Sequence, residues 1–476
     1  MRMALLATMV VTVLAFVAAA YWINEARERV DAEVRESESL AAAARHERDR
    51  LVRLADIQRL KDLDADAARL WPAGPEVVAG LEAWLEKARA LVARLPEHRA
   101  RHSELVAQSG SPEGAWQLGV ESEIVAGLER LASGDARWSP VTIASLERRL
   151  DFAKTVVRRT IEDERAKWTD AITDVRASEE FGGLVLAPQV GLVPLAMDES
   201  SGLWEFLLVQ SGDRPQRGDD GRIVPAPEMG IVLVLIPGGS FTMGSPESET
   251  AVGRYKNEGP QHEITLDPYF ISKYEVTQAQ WERLAGENPS YYKTGASAPL
   301  RPVEQVSFSD CVNVLARYGL ELPTEAQWER AARGGTTTAW WTGDAKESFR
   351  GAGNIADGAA GRKGAPWPSC ADWPDLDDGQ VVTGPVGFYK ANPFGLHDTG
   401  GNVWEWCRDG YGAYSLPVRE GDGWREAPPP IEVRIVRGGS FGDAAVHARS
   451  ANRYNDKPDA RINGVGVRPV MRIRPD

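Results

Sequence analysis

Asp398 and Glu405 flank the hexapeptide TGGNVW in a stretch without helical or strand periodicity. Carboxylates are hard oxygen donors, and a glycine-rich turn offers backbone carbonyls that complete a calcium shell. The pattern reads as a cation site, with simple turn capping by the two acids as the alternative. A second pattern, His98-x-x-x-His102-x-Glu104, puts two imidazoles one helical turn apart, as a transition-metal site requires, and His46 offers a third ligand. The interleaved Glu97, Arg99 and Arg101 equally suit a solvated helix face. A third segment, Phe441 to Arg461, gathers His447, Arg449, Asn452, Arg453, Tyr454 and Asp459, side chains suited to recognition more than to redox chemistry. Cys311, Cys370 and Cys407 contain no Cys-x-x-Cys pair, which excludes a cysteine-zinc site and a dense disulfide framework. Cys311 and Cys407 are expected as buried core thiols.

These groups need elements to hold them. The 476 residues exceed what one hydrophobic core usually organises. From Met3 to Ile23 no residue is charged, long enough for a helix to cross a hydrocarbon core of about 30 Å. This predicts a transmembrane anchor over 1–23, with Tyr21 and Trp22 at the interface; a cleaved signal peptide, and so a secreted protein, is the alternative. The globular part is expected outside the cytoplasm. Residues 24–176 read as a helical stalk and helical region with coiled-coil character, able to self-associate, on stripes such as Leu51, Leu54, Ile57 and Leu60. Residues 177–223 read as a small β unit and linker, and 224–476 as an irregular domain of short strands, tryptophans and glycine turns. The fold class is α+β. A net charge of −14 and no basic stripe argue against a nucleic-acid partner.

Seven blocks in the C-terminal half, in order LVLIPGGSFTMGS, YFISKYEVTQAQW, RPVEQVSFSD, LPTEAQWERAARGG, NPFGLHDTGGNVWEW, RGGSF and ARSANR, resemble the formylglycine-generating enzyme, or sulfatase-modifying factor, family. The resemblance implies an irregular fold related to C-type lectins and a bacterial origin for the architecture. It implies calcium held by Asp398, Gly401, Val403 and Glu405, and a second calcium by Asn354, Ile355, Asp378 and Gln380. It also implies a cleft containing Ser440. In LPTEAQWERAAR, Thr324 is expected to cap a helix with Trp328 and Ala332 on one face and Glu325, Glu329 and Arg330 in water. The family oxidises a protein cysteine to formylglycine with a copper-binding cysteine pair. Here the matching positions fall on Asp443 and Ala448, and no cysteine follows Cys407. Soft thiolates suit copper(I), and neither replacement substitutes for them, so copper is not expected.

Two function classes follow. One is a calcium-stabilised binding module whose Ser440, His447, Arg449, Asn452 and Arg453 face a peptide, protein or glycan ligand; the block ARSANR also resembles variable ligand-binding proteins of this fold. The other is an enzyme, a formylglycine-generating oxidase or an iron-dependent oxidase acting on protein or small thiols. His98-x-x-x-His102-x-Glu104 resembles the iron motif of ergothioneine sulfoxide synthases.

Overall fold

A computed structural model describes residues 2–107, 112–135, 137–138 and 140–475, with the His46 side chain outside the described residues. The chain forms two compact units, one of residues 1–66 and 86–132, the other of 67–85 and 133–476.

The first unit is helical: most of α1 (Arg2–Arg69), the end of α2 (Val78–Val92), α3 (Leu95–Ala107) and α4 (Pro112–Ala132). The N-terminal part of α1 is long and apolar enough to cross a membrane by length and composition, and Leu5, Phe16 and Trp22 stand fully in the open. Further along, Leu60 and Leu63 of α1 turn inward with Leu105, Ile124, Leu128 and Leu131. One buried polar cluster interrupts this apolar packing. His98 of α3 sits between Glu121 of α4, 2.6 Å from Nδ1, and Asp56 of α1, 3.2 Å from Nε2. Arg94 and Arg59 also reach Asp56, at 2.6 and 2.7 Å. Both carboxylates are fully buried, so a charge shared over three helices fixes their register.

The second unit begins with the remainder of α1 and α2, continues through α5 (Ile143–Val157) and α6 (Arg165–Ala177), and then becomes strand-rich. Its first eight strands are β1 (Leu192–Met197), β2 (Trp204–Leu208), β3 (Gln216–Arg217), β4 (Ile223–Val224), β5 (Val232–Ile236), β6 (Gly239–Met243), β7 (His262–Leu266) and β8 (Tyr269–Ser272). Helices α7 (Gln278–Ala285), α8 (Phe308–Ala316) and α9 (Glu325–Arg333) follow. The last strands are β9 (Trp404–Gly410), β10 (Arg434–Arg437), β11 (Tyr454–Asp456), β12 (Val465–Gly466) and β13 (Val470–Arg472). One sheet runs β1-β2-β5-β8-β13, another β11-β10-β9-β12, and β3-β4 and β6-β7 are separate hairpins. The class is α+β.

Two expected boundaries move. The 177–223 segment is not a separate β unit, because β2 pairs with β5 over Glu205–Leu207 and makes β1 and β2 the margin of the large sheet. The 24–176 region is likewise divided. Trp168 of α6 packs on Phe206 at 5.5 Å and Phe206 on Phe270 at 5.1 Å, so α5 and α6 share one core with the sheet. Apolar strands alone do not reveal which neighbour covers them.

The His98 cluster carries a pH signature. Its hydrogen bond to the Glu121 carboxylate holds the imidazole above its usual range, against the opposing cost of burial. A raised folded-state value means stabilisation that is full below the unfolded value of about 6.5 and is lost as pH rises through the folded one. Hydrogen exchange of peptides from α3 and α4, corrected for the intrinsic pH dependence, should show weaker protection at pH 8.5 than at pH 6, and His98→Gln should flatten the difference.

Candidate functional site

The turn after Leu396 is built by residues that tolerate a left-handed backbone. Asp398 has φ 57° and Asn402 φ 63°. Gly401 has φ +82°, and a Cβ there would lie 2.1 Å from the Asn354 carbonyl oxygen, so only glycine fits. Asp398 is 2% exposed. Its Oδ2 accepts the Gly387 amide at 2.8 Å, while Oδ1 is buried without a hydrogen-bond partner. Burial pushes this carboxyl up to about 6. Glu405, on β9, is engaged differently. Trp328 Nε1 donates to Oε2 at 2.6 Å, and the Arg468 guanidinium donates to both oxygens.

A third acid, Glu275, lies within the block YFISKYEVTQAQW and joins these two. Fully buried, it accepts from Asn402 Nδ2 at 2.6 Å and from the Val403 amide at 3.1 Å. Burial, with Asp398 and Glu405 nearby, holds its carboxyl well above the usual range. With Ser272 and Lys273 just before it and Thr277 just after, its burial carried no local signal in the sequence. Among the described residues no three His, Cys, Asp or Glu side chains are arranged to chelate one ion. The orphaned Asp398 Oδ1 is a buried oxygen with the character of a cation donor.

The second expected set also converges. Asp378 accepts the Ile355 amide at 2.8 Å and the Gln380 amide at 2.9 Å, one on each oxygen. Burial pushes it up to about 7. Asn354 Nδ2 donates to Val382 O and to Asn402 Oδ1, linking the two turns. Asp378 thus clamps the Ile355 and Gln380 backbones together.

The recognition loop differs from expectation. Arg449 is fully buried, with Glu258 at 2.5 and 2.7 Å and Glu249 at 3.2 Å. Arg453 is bidentate to Glu325 at 2.5 and 2.8 Å, and Asn452 Nδ2 reaches Glu258 at 3.3 Å. These three residues hold the loop from beneath and are not offered to solvent. Their partners explain a second departure: Glu325 and Glu329 of α9 are fully buried instead of facing water, Glu329 being paired with Arg333 and Arg437. Thr324 does cap α9, accepting the Gln327 amide at 3.1 Å.

Asp443 Oδ2 accepts from Ser440 Oγ at 2.5 Å, the Ser440 amide at 3.1 Å and Trp404 Nε1 at 2.8 Å. Ala448 is buried. His447 Nδ1 lies 4.0 Å from Asp443 Oδ1 and its Nε2 3.3 Å from the Tyr255 hydroxyl. Tyr454 lies 5.6 Å from Trp404, and both Tyr454 and Tyr255 are exposed. The open face is thus aromatic rings around one carboxylate. Cys311, Cys370 and Cys407 are all buried and free, and burial raises the thiols of Cys311 and Cys407. The other candidate metal motif does not close. His98 is committed to Glu121 and Asp56, whereas His102 Nε2 pairs with Ser122 Oγ at 3.1 Å and Glu104 with Arg101.

Residues 221–473 match the sulfatase-modifying factor enzyme 1-like domain, just over half of the chain. The chain belongs to this family. Among curated relatives, a chaperone protein LppX of Paenibacillus barcinonensis is 30% identical over 287 residues, covering 51% of this chain and 88% of that protein. A formylglycine-generating enzyme of Thermomonospora curvata is 28% identical over 295 residues, covering 50% and 92%. Among solved structures, Treponema denticola variable protein 1 is 22% identical with a TM-score of 0.41, covering 51% of this chain and 96% of that one.

Removing a buried arginine from this sulfatase-modifying-factor-like domain strands its acids. Arg449→Ala should cost about 3–5 kcal/mol in urea unfolding, whereas Tyr454→Ala, at an exposed ring, should cost less than about 1 kcal/mol.

Proposed function

We infer that the chain is a membrane-anchored protein whose sulfatase-modifying-factor-like domain lies outside the cytoplasm, is stabilised by calcium, and binds a peptide, protein or glycan ligand instead of oxidising a cysteine with copper. One observation carries the reading. The position of the first family cysteine is Asp443, whose Oδ2 is filled by Ser440 and Trp404 donors, and the position of the second is the methyl side chain of Ala448. Neither supplies a thiolate, and a hard carboxylate is a poor copper(I) ligand. The residues present do not fit copper.

The buried state of Arg449 and Arg453 also relocates the recognition surface. Tyr255 and Tyr454 are the exposed rings of the loop region, with the half-buried His447 and Asp443 and the buried Trp404 beside them, and flat rings of this kind anchor ligands at small entropic cost. Calcium at the first turn is supported by the orphaned Asp398 Oδ1, with Gly401 and Val403 supplying carbonyls. Bound there, the ion supplies positive charge among Glu275, Asp398 and Glu405. The anchored topology is supported by the apolar start of α1.

With copper, oxygen and a peptide bearing Cys-x-Pro-x-Arg, mass spectrometry should show no aldehyde above a protein-free control; turnover would refute the binding-module reading. Calcium should raise the thermal midpoint relative to chelator, through preferential binding to the folded state. Asp398→Ala, which removes the oxygen donor, should remove that rise, and equal midpoints for the parent protein would refute the calcium assignment.

A further inference from the structure

A cavity of about 530 Å³ opens beside the Asp398 turn, lined by Lys273, Tyr274, Phe388, Lys390, Arg222 and His397 among others. That volume is in the range of small-molecule sites. Its chemistry is uneven in a useful way. Phe388 is 59% exposed, a large ring left in the open beside the half-buried Trp341. The His397 ring stacks on Tyr274 at 5.1 Å between centroids. Its Nδ1 lies 2.8 Å from the Tyr389 carbonyl oxygen. A carbonyl only accepts, so in the neutral ring Nδ1 carries the proton and Nε2 is a bare acceptor.

The charges sort in the same way. Lys273 is neutralised behind the wall by Glu205 at 2.7 Å. Asp198 Oδ2 is occupied by Ser200 and Ser201 hydroxyls and the Ser201 amide. At the rim, Lys390 has no side-chain partner among the described residues, and Arg222 is only 3.9 Å from an exposed Asp220, a pair of little worth in water. The cavity therefore combines a flat apolar face, an uncommitted acceptor and two exposed cations.

We propose that this cavity binds a small organic acid carrying a hydroxylated ring, with the ring against Phe388, a hydroxyl donating to His397 Nε2 and the carboxylate at Lys390 and Arg222. An aromatic hydroxy acid and a sugar acid share this chemistry, and the two are separated by the probes below. The site is independent of the Asp443 loop, so its failure leaves the binding-module reading untouched.

The test is calorimetric titration of the full chain in nanodiscs with 4-hydroxybenzoate and, separately, glucuronate. Saturable binding of the first assigns an aromatic acid and of the second a sugar acid, and either supports the proposal. Methylating the hydroxyl, as in 4-methoxybenzoate, should weaken the aromatic acid without any change to the protein. Phe388→Ala and Lys390→Glu, both at exposed positions that leave the fold intact, should each weaken binding about tenfold or more. Absence of saturation by both acids, equal binding of benzylamine, or unchanged binding by both variants would overturn it.

Discussion

The Arg468 guanidinium holds the C-terminal domain together at its centre. Fully buried, it donates to both oxygens of Glu405, to the His397 and Asp398 carbonyls on one side, and to the Ser272 and Lys273 carbonyls on the other. One planar cation thereby joins the end of β8, the turn before β9 and the final strand segment. A lysine would supply the charge but not the fork geometry. The arrangement also sets the limits on the cation turn. With Glu405 already matched to Arg468, the uncompensated charge is that of Glu275 and Asp398, and the unpartnered oxygen belongs to Asp398.

The same solution recurs around the loop from Phe441 to Arg461. Glu325 pairs with Arg453, Glu329 with Arg437 and Arg333, and Glu258 with Arg449. Buried ion pairs contribute less to stability than their Coulomb energy suggests, because desolvation offsets it, but breaking one is costly. They make the loop rigid from beneath while its outer face carries rings and one carboxylate. A rigid support with an adaptable outer surface suits recognition.

Some of this was legible in the residues. The uncharged run to Ile23 specified a helix able to span a membrane by length and composition, and Thr324 before EAQWERAAR specified a helix start that the cap geometry bears out. The ordered blocks were enough for the family. Burial of charge was not legible, because Glu325 and Glu329 sit at ordinary solvent-face spacings and the arginines that draw them inward, Arg453 and Arg437, lie more than a hundred residues away along the chain. The role of Arg449 was misread for the same reason, its acids being in the 249–258 segment. His98 and His102 shared a helix face as the spacing required, but only tertiary packing showed that Asp56 and Glu121 had taken the first ring.

Metal content tests most directly the proposal that this domain holds calcium and not copper. The full chain, purified in detergent, is incubated with copper(I) and calcium, desalted and analysed by inductively coupled plasma mass spectrometry. Retained calcium near one equivalent per chain with copper at background is the predicted result. One equivalent of copper retained through desalting would contradict the account, because it requires a soft-ligand site that Asp443 and Ala448 do not provide.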